Sequence, residues 1–408
     1  MEKWNKTPLK DVVFFQEGPG VRKSQYTTNG VKLLNVRNIV DGSLILDNTE
    51  TFISKEEASG RYKHFLCDEG DLLIASSGIK VDNFDKKVTF IEKKHLPLCM
   101  NTSTIRFKTL DKNILNIKFL AYFLKSEYFK KQVRFYITGS AQLNFGPSHL
   151  NKMNIIYPNM AEQEVIVAKL DKANEIRDKK IKANEKLDEL IKSQFIYLFG
   201  DPGANINKYP IVTINDIVEN ISDIGSNGSN ELVAKNLVMS DSEDYAYMIR
   251  TLNFNQKNIL DNMKYISKKT YNFFKKSQIF GNEIIMCKIG SAGKFWLMPI
   301  LDKPVSLGLN QFFIRFKEDA NRVFIFYCLN TSYCLNEINN RIGGAVTKSI
   351  TKGAIRTIPV LLPPLEQQNQ FAKFVEKIEE QKSKNEVVIQ KMTDLINSIM
   401  QQEFEREI

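Results

Sequence analysis

Apolar positions along this chain fall into two kinds of pattern, and both occur twice. Short alternating or continuous apolar runs at 32–39, 71–75, 104–107 and 283–287 predict β-strands. Glycine and serine clusters at 76–78, 139–140, 290–293 and 343–344 punctuate them as turns. Helical periodicity is predicted over 117–133 and again over 322–338. Longer helical patterns follow, one from Pro158-Asn159 to Phe199-Gly200-Asp201-Pro202 and one from Pro363-Pro364 to the end. Asn159 with Glu162 reads as a capping box, and Gly200 with Pro202 as a stop.

The repetition extends to individual residues. Val36-Arg37-Asn38-Ile39 aligns with Ile249-Arg250-Thr251-Leu252, and Phe52-Ile53-Ser54-Lys55 with Tyr265-Ile266-Ser267-Lys268, both at an offset of 213. Gly70-Asp71-Leu72-Leu73-Ile74 aligns with Gly281-Asn282-Glu283-Ile284-Ile285, and Ile105-Arg106-Phe107-Lys108 with Ile314-Arg315-Phe316-Lys317. From Gly139 onward the offset settles at 205, so that Gln163 falls on Gln368, Leu190-Ile191 on Leu395-Ile396, and Phe199 on Phe404. Internal similarity of this length marks a duplicated body plan.

Each long helix carries a seam at alternating four- and three-residue spacing. Ile166, Leu170, Ala173, Arg177, Lys180, Asn184, Leu187, Ile191 and Gln194 form the first. Phe371, Val375, Ile378, Lys382, Asn385, Ile389, Met392, Ile396 and Ile399 form the second. Both seams are apolar at their ends and polar in the middle, and such a stripe needs a partner. The economical partner is the other helix, antiparallel, giving a rod of about 55 Å for roughly 37 residues. An amphipathic helix packed on its own domain is the alternative.

Composition narrows the class. The chain has 408 residues and 43% hydrophobic content, enough for two or three buried cores. No apolar run reaches the roughly 18 residues of a membrane span, and Met1-Glu2-Lys3-Trp4-Asn5-Lys6 does not start a signal peptide, so a cytoplasmic location is expected. Cys67, Cys99, Cys287, Cys328 and Cys334 make no C-x-x-C pair, and with His64, His95 and His149 they offer no zinc-ligand spacing, so reduced, mostly buried thiols and no metal are expected. The net charge of +10 points to an acidic partner, nucleic acid first. The long helices sum to −1 and the remainder to +11, which places the positive surface on the globular regions.

Two globular repeats, each with a Gly-led apolar strand, a later Gly-rich loop, an apolar run ending in proline and a Gln-led long helix, resemble the specificity subunits of type I restriction–modification systems. The stretch Ile358-Pro-Val-Leu-Leu-Pro-Pro-Leu-Glu-Gln-Gln368 carries the resemblance most strongly; its copy Met153-Asn-Ile-Ile-Tyr-Pro-Asn-Met-Ala-Glu-Gln163 departs from it at Asn159-Met160-Ala161. The resemblance implies an α+β fold: two mixed α/β target recognition domains in tandem, each followed by a long helix, the helices pairing as an antiparallel coiled coil. Its boundaries are 1–157 and 206–362 for the recognition domains and 158–200 and 363–408 for the spacer helices. It also implies a subunit that reads a bipartite site in double-stranded DNA and directs two methyltransferase subunits to it for adenine methylation, joined by two motor-nuclease subunits where the complex restricts. No cofactor is expected in this chain; the partners would use S-adenosylmethionine, and ATP with magnesium where a nuclease is present. A coiled-coil adaptor that binds only protein is the alternative.

The chain offers no chemistry of its own. Pro363-Pro364 lies between Leu362 and Leu365, which is not the Asp/Asn-Pro-Pro-aromatic motif of an adenine methyltransferase. Gly290-Ser-Ala-Gly-Lys294 is followed by Phe295, and a phosphate loop needs four residues between its glycines and a Ser/Thr after the lysine. No catalytic residue is therefore assigned. The candidates for DNA contact are the loops flanking matched strands: Arg37 and Arg250; Ser76, Ser77 and Lys80 against Lys288, Ser291 and Lys294; Gln142 and Asn144 against Thr347, Lys348 and Ser349. Arginine and lysine suit guanine O6/N7, asparagine and glutamine suit adenine N6/N7, and any of them suits phosphate.

Overall fold

The computed structural model describes residues 4–47, 49–136, 143–256 and 258–405, with backbone alone at Ile79, Leu143 and Asn144. The chain divides into two compact units, 1–181 with 386–408, and 182–385.

In the first unit, Val13–Glu17, Thr104–Thr109, Leu72–Ala75 and Val88–Phe90 form an antiparallel sheet in that order. Leu72 to Ala75 are all buried, so both faces of this strand are covered and alternation is lost. A second sheet pairs Val31–Leu34 in parallel with Leu98–Met100 and antiparallel with Phe52–Ile53. The second unit repeats the plan with Val218–Ser222, Gln311–Phe316, Ile284–Cys287 and Phe295–Leu297 in one sheet. Its other sheet runs Lys264–Ile266, Ala246–Ile249, Val305–Leu307, Gln278–Ile279, again with one parallel pair. In both units the strand that precedes the long helix pairs with the unit's opening strand, Asn154–Tyr157 with Asn5–Pro8 and Pro359–Leu361 with Ile211–Thr213.

Three local expectations are corrected. The strand expected over 32–39 ends at Leu34, because the Asn35 amide donates to Asn38 Oδ1 (2.9 Å) and turns the chain. The single helix expected over 117–133 is two, Ile117–Lys125 and Glu127–Tyr136, with Ser126 between them accepting from the Phe129 amide (3.3 Å). The 322–338 pattern breaks at the matching place into Arg322–Leu329 and Ser332–Asn340, where Thr331 Oγ1 accepts from the Cys334 amide (3.4 Å). A hydroxyl that caps the next helix turns one apolar stripe into two.

The long helices run Met160–Phe199 and Leu365–Phe404. Asn159 Oδ1 caps the first on the Glu162 amide (3.0 Å), and Gly200, at φ +78, ends it. The leading glutamines do identical work. Gln163 accepts from the Asn116 amide (2.9 Å) and donates to Pro158 O (2.9 Å); Gln368 accepts from the Asn321 amide (2.8 Å) and donates to Pro363 O (2.8 Å). Both are fully buried, and Asn116 and Asn321 cap the helices that follow them, so each glutamine ties a long helix to its own unit's core.

The helices pack together and antiparallel. In the second unit Phe371 meets Phe195 and Phe199, Lys382 meets Asp188 (2.7 Å), and Asn385 Nδ2 donates to Asn184 Oδ1 (2.8 Å), so one number falls as the other rises. In the first unit Ile166 and Leu170 share a core with Phe404 and the flanking Ile396 and Ile399. The polar middle of the two seams is thereby explained: the buried asparagines bond to each other, a pairing that only one register satisfies.

Candidate nucleic-acid interface

In each unit two of the loops singled out by the sequence are hydrogen-bonded together. In the first, the Ser76 amide donates to Ser103 O (2.8 Å) and Ser76 O accepts from the Phe145 amide (3.0 Å), while Ser77 pairs with Asn144. In the second, the Lys288 amide donates to Asn310 O (2.7 Å) and Lys288 O accepts from the Ile350 amide (3.0 Å). These bonds make Ser76 the counterpart of Lys288, and Ser103 and Asn310 both take the left-handed conformation, at φ 70 and 64.

The first unit places Arg37, which is exposed, on a cleft of about 450 Å³ with Tyr26, Asn35, Ser77 and Thr102. Lys80 is exposed at the end of the same loop, and Ser76 is buried beneath it. Gln142 lies outside the described residues, and Asn144 is described by its backbone pairing alone.

The second unit brings all three of its loops together. The Gly290 amide donates to Lys348 O (3.0 Å), and Gly343 and Ser349 exchange two bonds of 2.9 Å. Gly344 sits at φ +98 with Thr347 O only 2.1 Å from where a Cβ would stand, so no other residue fits this turn. The loop exposes Thr347 and Lys348, and Val346 at its tip is 97% exposed. An apolar side chain held in solvent in this way suits a thymine methyl group. Ser291 is exposed, and Lys294 donates to Asn255 Oδ1 (3.1 Å) while covering the ring of Trp296, which stacks on Phe254 at 5.0 Å. Arg250 is half-buried and donates to Asn262 O (2.5 Å).

The equivalence of Arg37 and Arg250 does not hold in three dimensions. The Arg250 amide donates to Asn253 Oδ1 (3.0 Å) as the Asn35 amide does to Asn38 Oδ1, which sets Arg250 opposite Asn35 and Arg37 opposite Leu252. The turn is fixed by its asparagine, whereas the sequence alignment followed the apolar residues beside it.

Lys288 does not stand alone. It meets Asp223 Oδ2 at 2.9 Å, and Lys352 meets Asp223 Oδ1 at 2.7 Å. Burial raises the Asp223 pKa, but hydrogen bonds from Lys352, Lys288 and Ser226 outweigh it and hold the carboxyl at about 2. Asp223, Ser226 and Lys352 carry no signal in the sequence, because 65 residues separate Asp223 from Lys288 and 126 separate Ser226 from Lys352. All five cysteines are buried, and none is bridged.

The description "Type I restriction modification DNA specificity domain" matches residues 1–192 and again residues 204–390. The chain belongs to that family. A stretch of 192 residues is 27% identical to the type I restriction enzyme MjaVIII specificity subunit of Methanocaldococcus jannaschii, covering 46% of this chain. A stretch of 64 residues is 42% identical to the putative type I restriction enzyme MjaX specificity subunit of the same organism, covering 16% of this chain. The matched stretches span 43% and 15% of those two relatives. Among solved structures, the S subunit of a type I restriction–modification system from M. genitalium has a TM-score of 0.59 at 15% identity, over 100% of this chain and 97% of that one. A chain from a structure describing assembly and conformational transition of the type I R-M system has a TM-score of 0.53 at 14% identity, over 98% and 97%. These likenesses show that the specificity-domain fold extends through the chain. Among the described residues, no helix is long and apolar enough to cross a membrane.

Proposed function

We propose that this chain is a non-catalytic subunit that reads a bipartite site in double-stranded DNA, one part with each unit, and brings adenine-specific methyltransferase subunits to it. Motor-nuclease subunits would join where the complex also restricts. The observation that carries this reading is the convergence, in the second unit, of three loops on one hydrogen-bonded frame, two of which present Lys294, Lys348 and Val346. Cations position a duplex by its phosphates, and the tips that differ between the units supply discrimination. The unit boundaries proposed for reading are 1–157 and 206–362, with the long helices as connectors.

A half-specific effect is expected. Arg37→Ala alters base preference in one half-site and leaves the other unchanged, and Lys294→Ala does the converse. The measurement is sequencing of duplexes bound from a random pool. Equal loss in both halves from either variant, or no duplex binding with retained methyltransferase association, would overturn the reading in favour of a protein-only adaptor.

A further inference from the structure

In the second unit, one carboxylate holds two lysines. Asp223 is buried, its side chain 9% exposed, while Lys288 and Lys352 each keep 36% of theirs in solvent. The lysine ammoniums occupy the two different oxygens of Asp223. Ser226 completes the arrangement by accepting from Lys352 (2.6 Å) and donating to Asp223 Oδ1 (2.8 Å). Both ammoniums also lie over the ring of Phe312, at 5.3 and 5.7 Å from its centre, and that ring is 2% exposed. Each ammonium has three N–H donors, so the contacts to Asp223 and Ser226 leave donors on both. One negative charge against two positive ones leaves the cluster cationic.

We infer that Lys288 and Lys352, positioned by Asp223, form a binding site for one phosphodiester of the DNA backbone on the second unit's side of the site. Paired ammoniums, partly exposed and fixed on a buried anchor, suit a multiply accepting anion rather than a base edge, where a planar donor fork serves better. The place agrees: Lys288 lies on the bonded frame of the candidate interface, and Lys352 follows its last loop. At the matching positions the first unit lacks both lysines: Ser76 stands opposite Lys288, and Pro147 stands opposite Lys352 at the offset of 205. The depressed Asp223 pKa agrees as well. A free aspartate titrates near 4, so the folded anchor is fully charged above that and is lost only as the pH falls through about 2. This inference rests on the DNA-reading role proposed above.

The test uses the full chain and a duplex selected from a random pool. Lys352→Met is expected to flatten the dependence of log affinity on log salt by about one unit, with base preferences unchanged in both halves. Single neutral methylphosphonate linkages are then placed along the second half-site. The wild-type chain loses affinity at one linkage, and Lys352→Met is indifferent to that same linkage. Asp223→Asn raises affinity for random duplex while lowering the ratio of specific to random binding, which simple unfolding would not do. An unchanged salt slope in Lys352→Met, or a variant still sensitive at every linkage that matters to wild type, overturns the phosphate site. Salt-independent or absent duplex binding by the wild-type chain overturns the DNA-reading role itself, a distinct outcome.

Discussion

Inserting one helical turn into each long helix, after Asn184 and before Asn385, lengthens the unread spacer of the preferred DNA site and leaves both half-sites as they were. Four residues add about 6 Å to a helix, close to two base pairs at about 3.4 Å each. Matched insertions keep the antiparallel seam in phase, so Asn184 and Asn385 still face each other. The expectation rests on helices that are continuous over 40 residues. Ile166 and Leu170 belong to the first unit's core, and Ile191, Phe195 and Phe199 of the same helix to the second's. Two half-sites engaged at once gain an effective concentration that is lost when the geometry fails. The variant should therefore bind the original spacing about a hundredfold more weakly, and a two-base-pair longer site nearly as well as the parent binds its own. Competition binding with duplexes of graded spacer length gives the answer. An unchanged optimum would end the connector role of the helices.

Arg315→Met should lower the stability of the second unit by about 3 kcal/mol or more. Glu283 is fully buried and meets Arg315 at 2.6 Å, and it also accepts from the amides of Phe280, Gly281 and Asn282. The guanidinium lies over the rings of Phe280 and Phe313, so the methionine keeps part of the packing and the loss is one of charge compensation. Adding Glu283→Gln should recover much of the deficit, since a neutral amide has no charge to leave unpaired. The chain has two tryptophans, and Trp296 lies in the second unit while Trp4 lies in the first. Urea unfolding in a Trp4→Phe background therefore follows the second unit through Trp296. A shift worth under about 1 kcal/mol, or a double variant as unstable as the single, would contradict this account. The first unit has its own buried pair, Arg106 with Asp71 at 3.2 Å.

The duplication and the long helices are legible in the sequence because they rest on periodicity and on residues repeated at offsets that change only from 213 to 205. Gln163 and Gln368 show how far that reaches: their recurrence is visible, and the structure adds why, each being buried on a cap and a proline carbonyl. Local turns are less legible. Asn38 and Asn253 set the turns that follow two matching strands, yet the aligned apolar residues beside them differ by two positions from the true correspondence. Ser126 and Thr331 break helices whose apolar stripes run on unbroken, since a cap depends on one side-chain oxygen and leaves hydropathy unaltered. The candidate site is legible as a set of loops rather than as a set of contacts. Lys288, Lys294 and Lys348 stand out because they flank the glycine clusters at 290–293 and 343–344. Asp223 and Lys352 do not, because a buried carboxylate becomes an anchor only when folding delivers two ammoniums to it. Ser76 stands out in the same turn-rich segment and is buried, its backbone holding the loop that its neighbours expose.

The central claim is that one chain reads two separated parts of a duplex. Selecting bound duplexes from a fully random pool with the intact protein, alone and with the proposed methyltransferase partner, tests it most directly. The account predicts two enriched sequence segments separated by positions of no preference at constant length. A single continuous motif, or a pool that stays random, would contradict it.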